Sequence, residues 1–391
     1  MATDVLIVGG GIGGLVLAEL LGRGGKRVVV LERSTGPPPF SRPEILWPAT
    51  IDLLCTLIPR DRWLQEAVLP LRGMEFFDGR QFAWGIAPEA LDRARVQPWS
   101  TNPNLTRELL MTLSSFELKR GVEVKAILKN NQRIIGARAR EIATGKEREW
   151  LADWTVGDDG GHSLVRGACG IELKTRMFPL DLLCFQVAWP ADFRPDAGRI
   201  WPNYRTARAG IIALGVLPTG RGTGVGIVPV RPQIFDDLPR AQAAWQEFVA
   251  LEPGLTQLVG ERKFPDDFTR VRRPWGHAPR YGAAGALIMG DAAHPVSPAG
   301  GQGANASIAD GRAIAELMLA GEKNLVSAYR RRRRPANDRS LKFTRGASAM
   351  FNLPHALAFN AITMSLLRQM LRRPAIVARG VRLVSRAFVD R

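Results

Sequence analysis

Asp4-Val5-Leu6-Ile7-Val8-Gly9-Gly10-Gly11-Ile12-Gly13-Gly14, followed by Leu15-Val16-Leu17-Ala18-Glu19-Leu20-Leu21, decides the fold of this chain. Asp4 to Val8 is a short apolar run of strand type and Leu15 to Leu21 an apolar run of helical type, so the glycines fall on a strand-to-helix turn. Gly9 permits the tight turn, Gly11 lets the backbone approach a pyrophosphate, and Gly14 lets the helix pack closely on the strand, with Gly13 in the same cradle. The helix N-terminus then presents free N–H groups to phosphate oxygens. A second apolar run, Arg27 to Leu31, ends at Glu32 and Arg33. That is about twenty residues past the glycines, where an acid can accept hydrogen bonds from a ribose. Glu32 favours an unphosphorylated adenosine ribose, as in FAD or NAD.

Two further signatures lie far along the chain. The first, Gly157-Asp158-Asp159-Gly160-Gly161-His162-Ser163-Leu164-Val165-Arg166, follows an apolar strand pattern at Trp150 to Val156. The second, Gly290-Asp291-Ala292-Ala293-His294-Pro295, follows Ala286 to Met289 and opens on Pro298-Ala299-Gly300-Gly301-Gln302-Gly303-Ala304-Asn305 before a helical stretch that carries Asp310. Asp291 can accept a bond from a ribityl or ribose hydroxyl, and the N–H groups around Gly300 to Asn305 can face the carbonyl edge of a flavin ring. A helix start there would stabilise negative charge on a reduced flavin. Asp291 also fits the plainer role of an N-cap or turn residue.

Composition sets the outer limits. A chain of 391 residues with 46% hydrophobic content is long enough for two domains with good cores. Cys55, Cys169 and Cys184 are widely spaced and form no CxxC pair, so neither a disulfide framework nor a metal site is expected, and a reducing cytoplasm is the simplest home. The N-terminus enters the first strand at once and shows no signal-peptide pattern. Of the net charge of +17, residues 330–391 contribute +13. Arg330 to Arg334 form an unbroken basic run, and an apolar helix is expected near 356–373, followed by Arg379, Arg382 and Arg386. Such a region suits either packing on the protein's own core with solvated arginines or peripheral contact with an anionic membrane at its inner face. No nucleic-acid-reading module accompanies it, so no specific nucleic-acid partner is expected.

Between the signatures, Met74 to Phe77 and Gln81 to Trp84 flank an Asp78-Gly79 hairpin signal. Thr106 to Leu118 reads as helical. Leu183 to Trp189, Ile211 to Val216 and Gly224 to Val230 read as strands of an antiparallel sheet, and the glycines from Gly222 to Gly226 are strand and turn glycines with no helix behind them. The fold class is therefore α/β, with a Rossmann-like nucleotide-binding domain, an inserted antiparallel β-sheet domain and C-terminal helices. The expected boundaries are 1–72, 95–175 and 275–340 for the first domain, 73–94 and 176–274 for the second, and 341–391 for a basic helical region.

The glycine turn with Glu32, Asp159-Gly160 in its motif, and GDAAHPVSPAGGQGAN resemble the three signatures of the single-component flavoprotein monooxygenases, the para-hydroxybenzoate hydroxylase family. Arg42 before Pro48, Arg107 within Leu105 to Leu110, and Tyr329 with Arg334-Pro335 are similar to further family features, so the resemblance covers roughly residues 3 to 340. It implies FAD held by Gly9, Gly11, Gly13, Gly14, Glu32, Arg33, Arg42, Arg107, Asp159 and Asp291, with Gly301, Gln302, Gly303, Ala304 and Asn305 beside the ring. Arg42 and Pro298 take the catalytic positions, and Asp159 serves both FAD and the nicotinamide donor. NAD(P)H docks transiently, since no second nucleotide cradle is present. The implied reaction is hydroxylation of an aromatic or other electron-rich apolar small molecule by O₂ through a flavin C4a-hydroperoxide. The alternatives on the same fold are a membrane-associated flavin epoxidase or reductase of isoprenoid or lipid substrates, and a non-catalytic flavin-binding protein. No acid–base residue stands out among Tyr204, Tyr281, Tyr329 and the four histidines. Trp84, Phe185, Trp189 and Trp201 fit a flat substrate or an ordinary core. Glu44 and Asp158 depart from the family pattern, each adding an acid beside a cofactor motif.

Overall fold

The computed structural model describes residues 3–37, 44–78, 81–203, 209–297, 301–352, 369 and 373–386. Strand β1 (Thr3–Val8), helix α1 (Ile12–Arg23) and strand β2 (Val28–Glu32) form the unit that the glycine turn predicts. Val5 to Val8 and Val28 to Leu31 are all buried, as continuous apolar runs are when a parallel sheet is covered on both faces.

The order of strands in this sheet assembles the site. β1 pairs in parallel with β2 on one side, Val8 opposite Leu31, and with Glu147–Gly157 on the other, Val8 opposite Gly157. Glu147–Gly157 pairs in parallel with Ala286–Ile288, Gly157 opposite Ile288. The three motifs therefore leave the carboxyl ends of three adjacent strands and converge on one edge, where open α/β sheets bind ligands. The helix Gly303–Leu319 returns against α1 at very short range. A Cβ built on Gly13 would stand 2.2 Å from Ser307 Oγ, and one built on Gly311 would stand 2.5 Å from the Gly13 carbonyl oxygen.

A second sheet of seven strands runs in the order Thr269–Val271, Asp181–Ala188, Thr223–Val230, Ala213–Gly220, Ala197–Pro202, Gly73–Asp78 and Gln81–Ile86. It is antiparallel except where Ala197–Pro202 meets Gly73–Asp78 in parallel. The exception has a topological cause: the early hairpin reaches this sheet from a distant part of the chain, so no short turn dictates its direction. The strand expected at Ile211 to Val216 begins at Ala213, and Ile211 makes only an isolated bridge to Val230.

One face of the sheet is closed by the helices Leu238–Val249 and Pro253–Val259. Leu183, Phe185 and Trp201 pack there with Trp245, Phe248, Phe264 and Phe268. Phe185 and Trp201 are 3% and 2% exposed, so these aromatics form an ordinary core rather than a substrate platform. Strand alternation turns Leu182 and Cys184 to the opposite face.

At the C-terminal end, one helix runs from Leu325 to Asn352, through Pro335 and past residue 340. The helix Pro374–Arg386 lays Val377, Ala378 and Val381 on Ala90, Leu91 and Ala94. The apolar helix expected near 356–373 lies, apart from 369 and 373, outside the described residues. Among the described residues no helix is long and apolar enough to cross a membrane.

Candidate functional site

The glycine turn is shaped by its neighbours before any ligand is considered. Gly9 has φ +95°, and a Cβ there would stand 2.3 Å from the Asp158 carbonyl oxygen. The Gly10 N–H donates to Glu32 Oε2 at 2.7 Å, and the Ser34 N–H donates to Oε1 at 2.7 Å. Arg107 comes from the helix Pro103–Met111, whose first turn is capped by Asn102 Oδ1 accepting from the Asn104 and Leu105 amides. Its Nη2 lies 3.0 Å from Glu32 Oε2, and its Nε donates to the Gly10 carbonyl at 2.5 Å. Burial by itself would raise the Glu32 pKa. The Ser34 and Gly10 amides and the Arg107 charge outweigh it and hold the carboxyl below its ordinary value. Glu32 is thus an ionised acceptor at the end of β2, while Arg33 beside it is exposed.

The mid-chain motif contributes two acids with different partners. Asp159 Oδ2 accepts from the Val165 N–H at 3.2 Å and Ser163 Oγ accepts from the Arg166 N–H at 2.9 Å, so both cap the short helix Leu164–Ala168. Burial raises the Asp159 pKa against these bonds. Asp158 instead reaches across to α1, where its Oδ2 accepts from the Gly14 N–H at 2.7 Å. Arg166 ties this motif to the late one, donating to the Gly161 and Ala292 carbonyls at 2.7 and 3.0 Å.

In the late motif Asp291 is ion-paired with Arg273 at 2.9 Å. Its neighbour His294 faces inward, with Nε2 2.5 Å from Asp310 Oδ2. Asp310 also accepts from Arg333 Nε at 2.7 Å and from the Gly290 N–H at 3.1 Å, and neither Asp310 nor Arg333 is exposed. Burial opposes ionisation of Asp310, but the charges and hydrogen bonds of His294 and Arg333 hold its carboxyl well below the usual range. Asn305 acts as a staple. Its Nδ2 donates to the Ile45 and Gly301 carbonyls at 2.8 and 2.9 Å, and its Oδ1 accepts from the Trp47 N–H at 3.1 Å. Gly301 needs its φ of +60° to make this turn. Gln302 is the buried N-cap position, and Gly303 and Ala304 open the helix. Arg42 and Pro298, the two expected catalytic residues, lie outside the described residues.

Beside that turn is a cavity of about 80 Å³. Leu182, Cys184, Ile227 and Val271 of the second sheet form its apolar side, and Gly301, Gln302 and Gly303 face them. Glu44 and Arg273 supply its charged wall. Arg273 was not singled out in the sequence. Its signal was weak, one arginine among Arg270, Arg272 and Arg273 before Pro274. Its placement joins the cavity to Asp291.

These residues fit a flavin dinucleotide. The turn has no room for side chains at Gly9, Gly11, Gly13 or Gly14, a helix start faces the cradle, and an ionised carboxylate ends the second strand. A family described as "FAD binding domain" matches residues 2–344. Rifampicin monooxygenase of Streptomyces venezuelae is 28% identical over 88% of this chain and 70% of its own length. A 6-methylpretetramide 4-monooxygenase of Streptomyces rimosus is 27% identical over 93% of this chain and 65% of its own. The chain thus spans about two thirds of these relatives. Among solved structures, p-nitrophenol 4-monooxygenase from Pseudomonas putida superimposes with a TM-score of 0.76 at 19% identity, covering 100% of this chain and 99% of that one. With the three motifs on adjacent strands and the family match over most of its length, the chain belongs to the single-component FAD-dependent monooxygenases of the para-hydroxybenzoate hydroxylase type.

Proposed function

We propose that this chain hydroxylates an aromatic or other electron-rich apolar small molecule in the cavity between the second sheet and the Gly301–Gly303 turn. The observation that carries the reading is the cavity itself, apolar on the sheet side and bounded on the other by the motif turn expected beside the flavin ring. The relatives named for rifampicin and 6-methylpretetramide support an aromatic substrate. A probable NADH-specific resorcinol 4-hydroxylase of Rhodococcus jostii supports NAD(P)H as donor.

In this reading Gly9, Gly11, Gly13 and Gly14 cradle the pyrophosphate, Glu32 takes the adenosine ribose, and Arg33 and Arg107 flank it. Asp159 and Asp291 line the remaining polar length, and Gly301 to Asn305 face the ring. The domain division at 73–94 and 176–274 is supported by the strands that those segments place in the second sheet. When bound, FAD supplies the reduction of O₂ and the transfer of one oxygen atom to the substrate. The chain's own contribution is positional. Leu182, Cys184, Ile227 and Val271 exclude water from the reacting face, the start of Gly303–Leu319 stabilises negative charge beside it, and Glu44 accepts a hydrogen bond from a substrate hydroxyl. Rapid mixing of the pre-reduced protein with O₂ and a panel of aromatic acids, quinolones and polyketide phenols tests the reading. At least one candidate gains an oxygen atom; flavin reoxidation with no oxygenated product from any of them would sink it.

Peripheral membrane contact through the basic C-terminal region is a second reading. It rests on Leu383, 65% exposed on a helix that also carries Arg379, Arg382 and Arg386. Flotation with anionic vesicles at low salt tests it, and protein left wholly at the bottom of the gradient removes it.

A further inference from the structure

Asp158 is an acid at the place where the cofactor's own negative charge is expected. Gly14 is the third residue of α1, and its amide is one of the first-turn donors that a bound anion would use. The Asp158 carboxylate already accepts from it at 2.7 Å, and a Cβ on Gly11 would stand 2.2 Å from the same oxygen. No acid of α1's own first turn competes for this role. The carboxylate therefore sits at the positive end of the helix, directly behind the pyrophosphate cradle.

The charged groups around it are arranged against ionisation. On its own segment stands Asp159; from the turn Gly290–Ala292 comes Asp291, and from the helix Gly303–Leu319 comes Asp310. The nearby basic groups have other partners: Arg273 pairs with Asp291, Arg333 and His294 with Asp310, Arg107 with Glu32, and Arg166 with two carbonyls. Ser307 Oγ, from the same helix as Asp310, donates to Asp158 Oδ1 at 3.5 Å, a long contact that brings a neutral group and no cation. Burial, then the charges of Asp159, Asp291 and Asp310, push the Asp158 carboxyl up to about 8.

We propose that the cradle takes up FAD together with a proton on Asp158, so that cofactor affinity is linked to pH through this one side chain. The inference rests on the FAD-binding reading above. A pyrophosphate adds negative charge beside a carboxyl that already resists ionisation, so the protonated form binds and the ionised form repels. Linkage then fixes the sign. Below the pKa of the free protein the proton is already present and affinity is flat; above it, affinity falls by up to about tenfold per pH unit. Asn at this position keeps an acceptor for the Gly14 amide without the charge.

The test is the dissociation constant of FAD for the full-length protein stripped of bound flavin, read by flavin fluorescence between about pH 6 and about pH 9.5. Wild type is expected to weaken steeply above about pH 8, while Asp158→Asn stays flat and binds more tightly than wild type at the alkaline end. Calorimetry of the wild type in two buffers of different ionisation enthalpy, at about pH 8.5, supplies an independent reading that needs no variant: proton uptake on FAD binding is expected. Equal pH slopes in the two proteins, or wild-type binding without proton uptake, would overturn the inference while leaving FAD binding intact. Failure to bind FAD at any pH would overturn both.

Discussion

Gly13 owes its identity to a helix from the far end of the chain. A methyl group there would collide with the backbone oxygen of Ser307 at 2.5 Å as well as with its hydroxyl; the hydroxyl can rotate away, but the backbone oxygen moves only with the helix Gly303–Leu319. Gly13→Ala is therefore expected to cost about 1–3 kcal/mol, as overpacked sites do, and to lower the thermal midpoint; an unchanged midpoint would show that the two helices can separate cheaply. Asn305 offers a second test. Asn305→Ala strands the Ile45 carbonyl and the Trp47 amide, and a loss of about 1–3 kcal/mol is expected in urea unfolding. The glycines and Glu32 could be read as a nucleotide cradle because their residue types carry a mechanism at fixed spacing, whereas Arg107 was offered only by the family resemblance. Asp158 was legible only as an odd acid. Its reach to Gly14 depends on two strands meeting in register, which sequence spacing does not encode.

At the level of the element, the run Arg330 to Arg334 shows how a helix divides like residues among unlike surroundings. Successive positions turn by about 100°, so a sequence-uniform basic stretch meets solvent, partner and core within two turns. Arg331 is exposed, Arg332 pairs with Glu316, Arg333 is buried against Asp310, and Arg334 pairs with Asp338. Arg333→Met leaves the buried Asp310 carboxylate without its cation and is expected to cost about 3–5 kcal/mol. Arg331→Met should stay within about 0.5 kcal/mol; similar losses in both would mean that the run acts by total charge rather than by position. The same helix packs near His277, where burial, then the charges of His294 and Arg334, press the imidazole down to about 4. Unfolded, that group would hold its proton up to about pH 6.5. Between those values the unfolded chain binds the extra proton, so stability falls as pH drops through the window. His277→Gln should flatten this stretch of the urea midpoint against pH.

For the whole molecule, two sheets with different grammars divide the labour. The parallel sheet was readable from unbroken apolar runs at Val5 to Val8 and Val28 to Leu31, whereas the second sheet showed only as a hairpin signal at Asp78-Gly79 and separate strand-like runs. Phe185 and Trp201 stood out as aromatics that suit a substrate or a core, and the helices Leu238–Val249 and Pro253–Val259, packed on them, settled it for the core. The residues left for the cavity, Leu182, Cys184, Ile227 and Val271, are small and unremarkable in sequence. Ile227→Trp fills that space, and an oxygenated product should be lost while FAD binding is retained. Loss of both would place the cavity's role in holding the cofactor.

The adjacency of the three motif strands also sets a timetable for synthesis. Ala286–Ile288 is made after Glu147–Gly157, the strand that it pairs with, and Asn305, made later still, fastens the last turn to Ile45 and Trp47. A nascent chain still lacking residues 286–305 has its first glycine turn but not the edge on which all three meet. FAD is therefore expected to be captured late in synthesis, and truncated products that end before residue 286 are expected to retain no flavin.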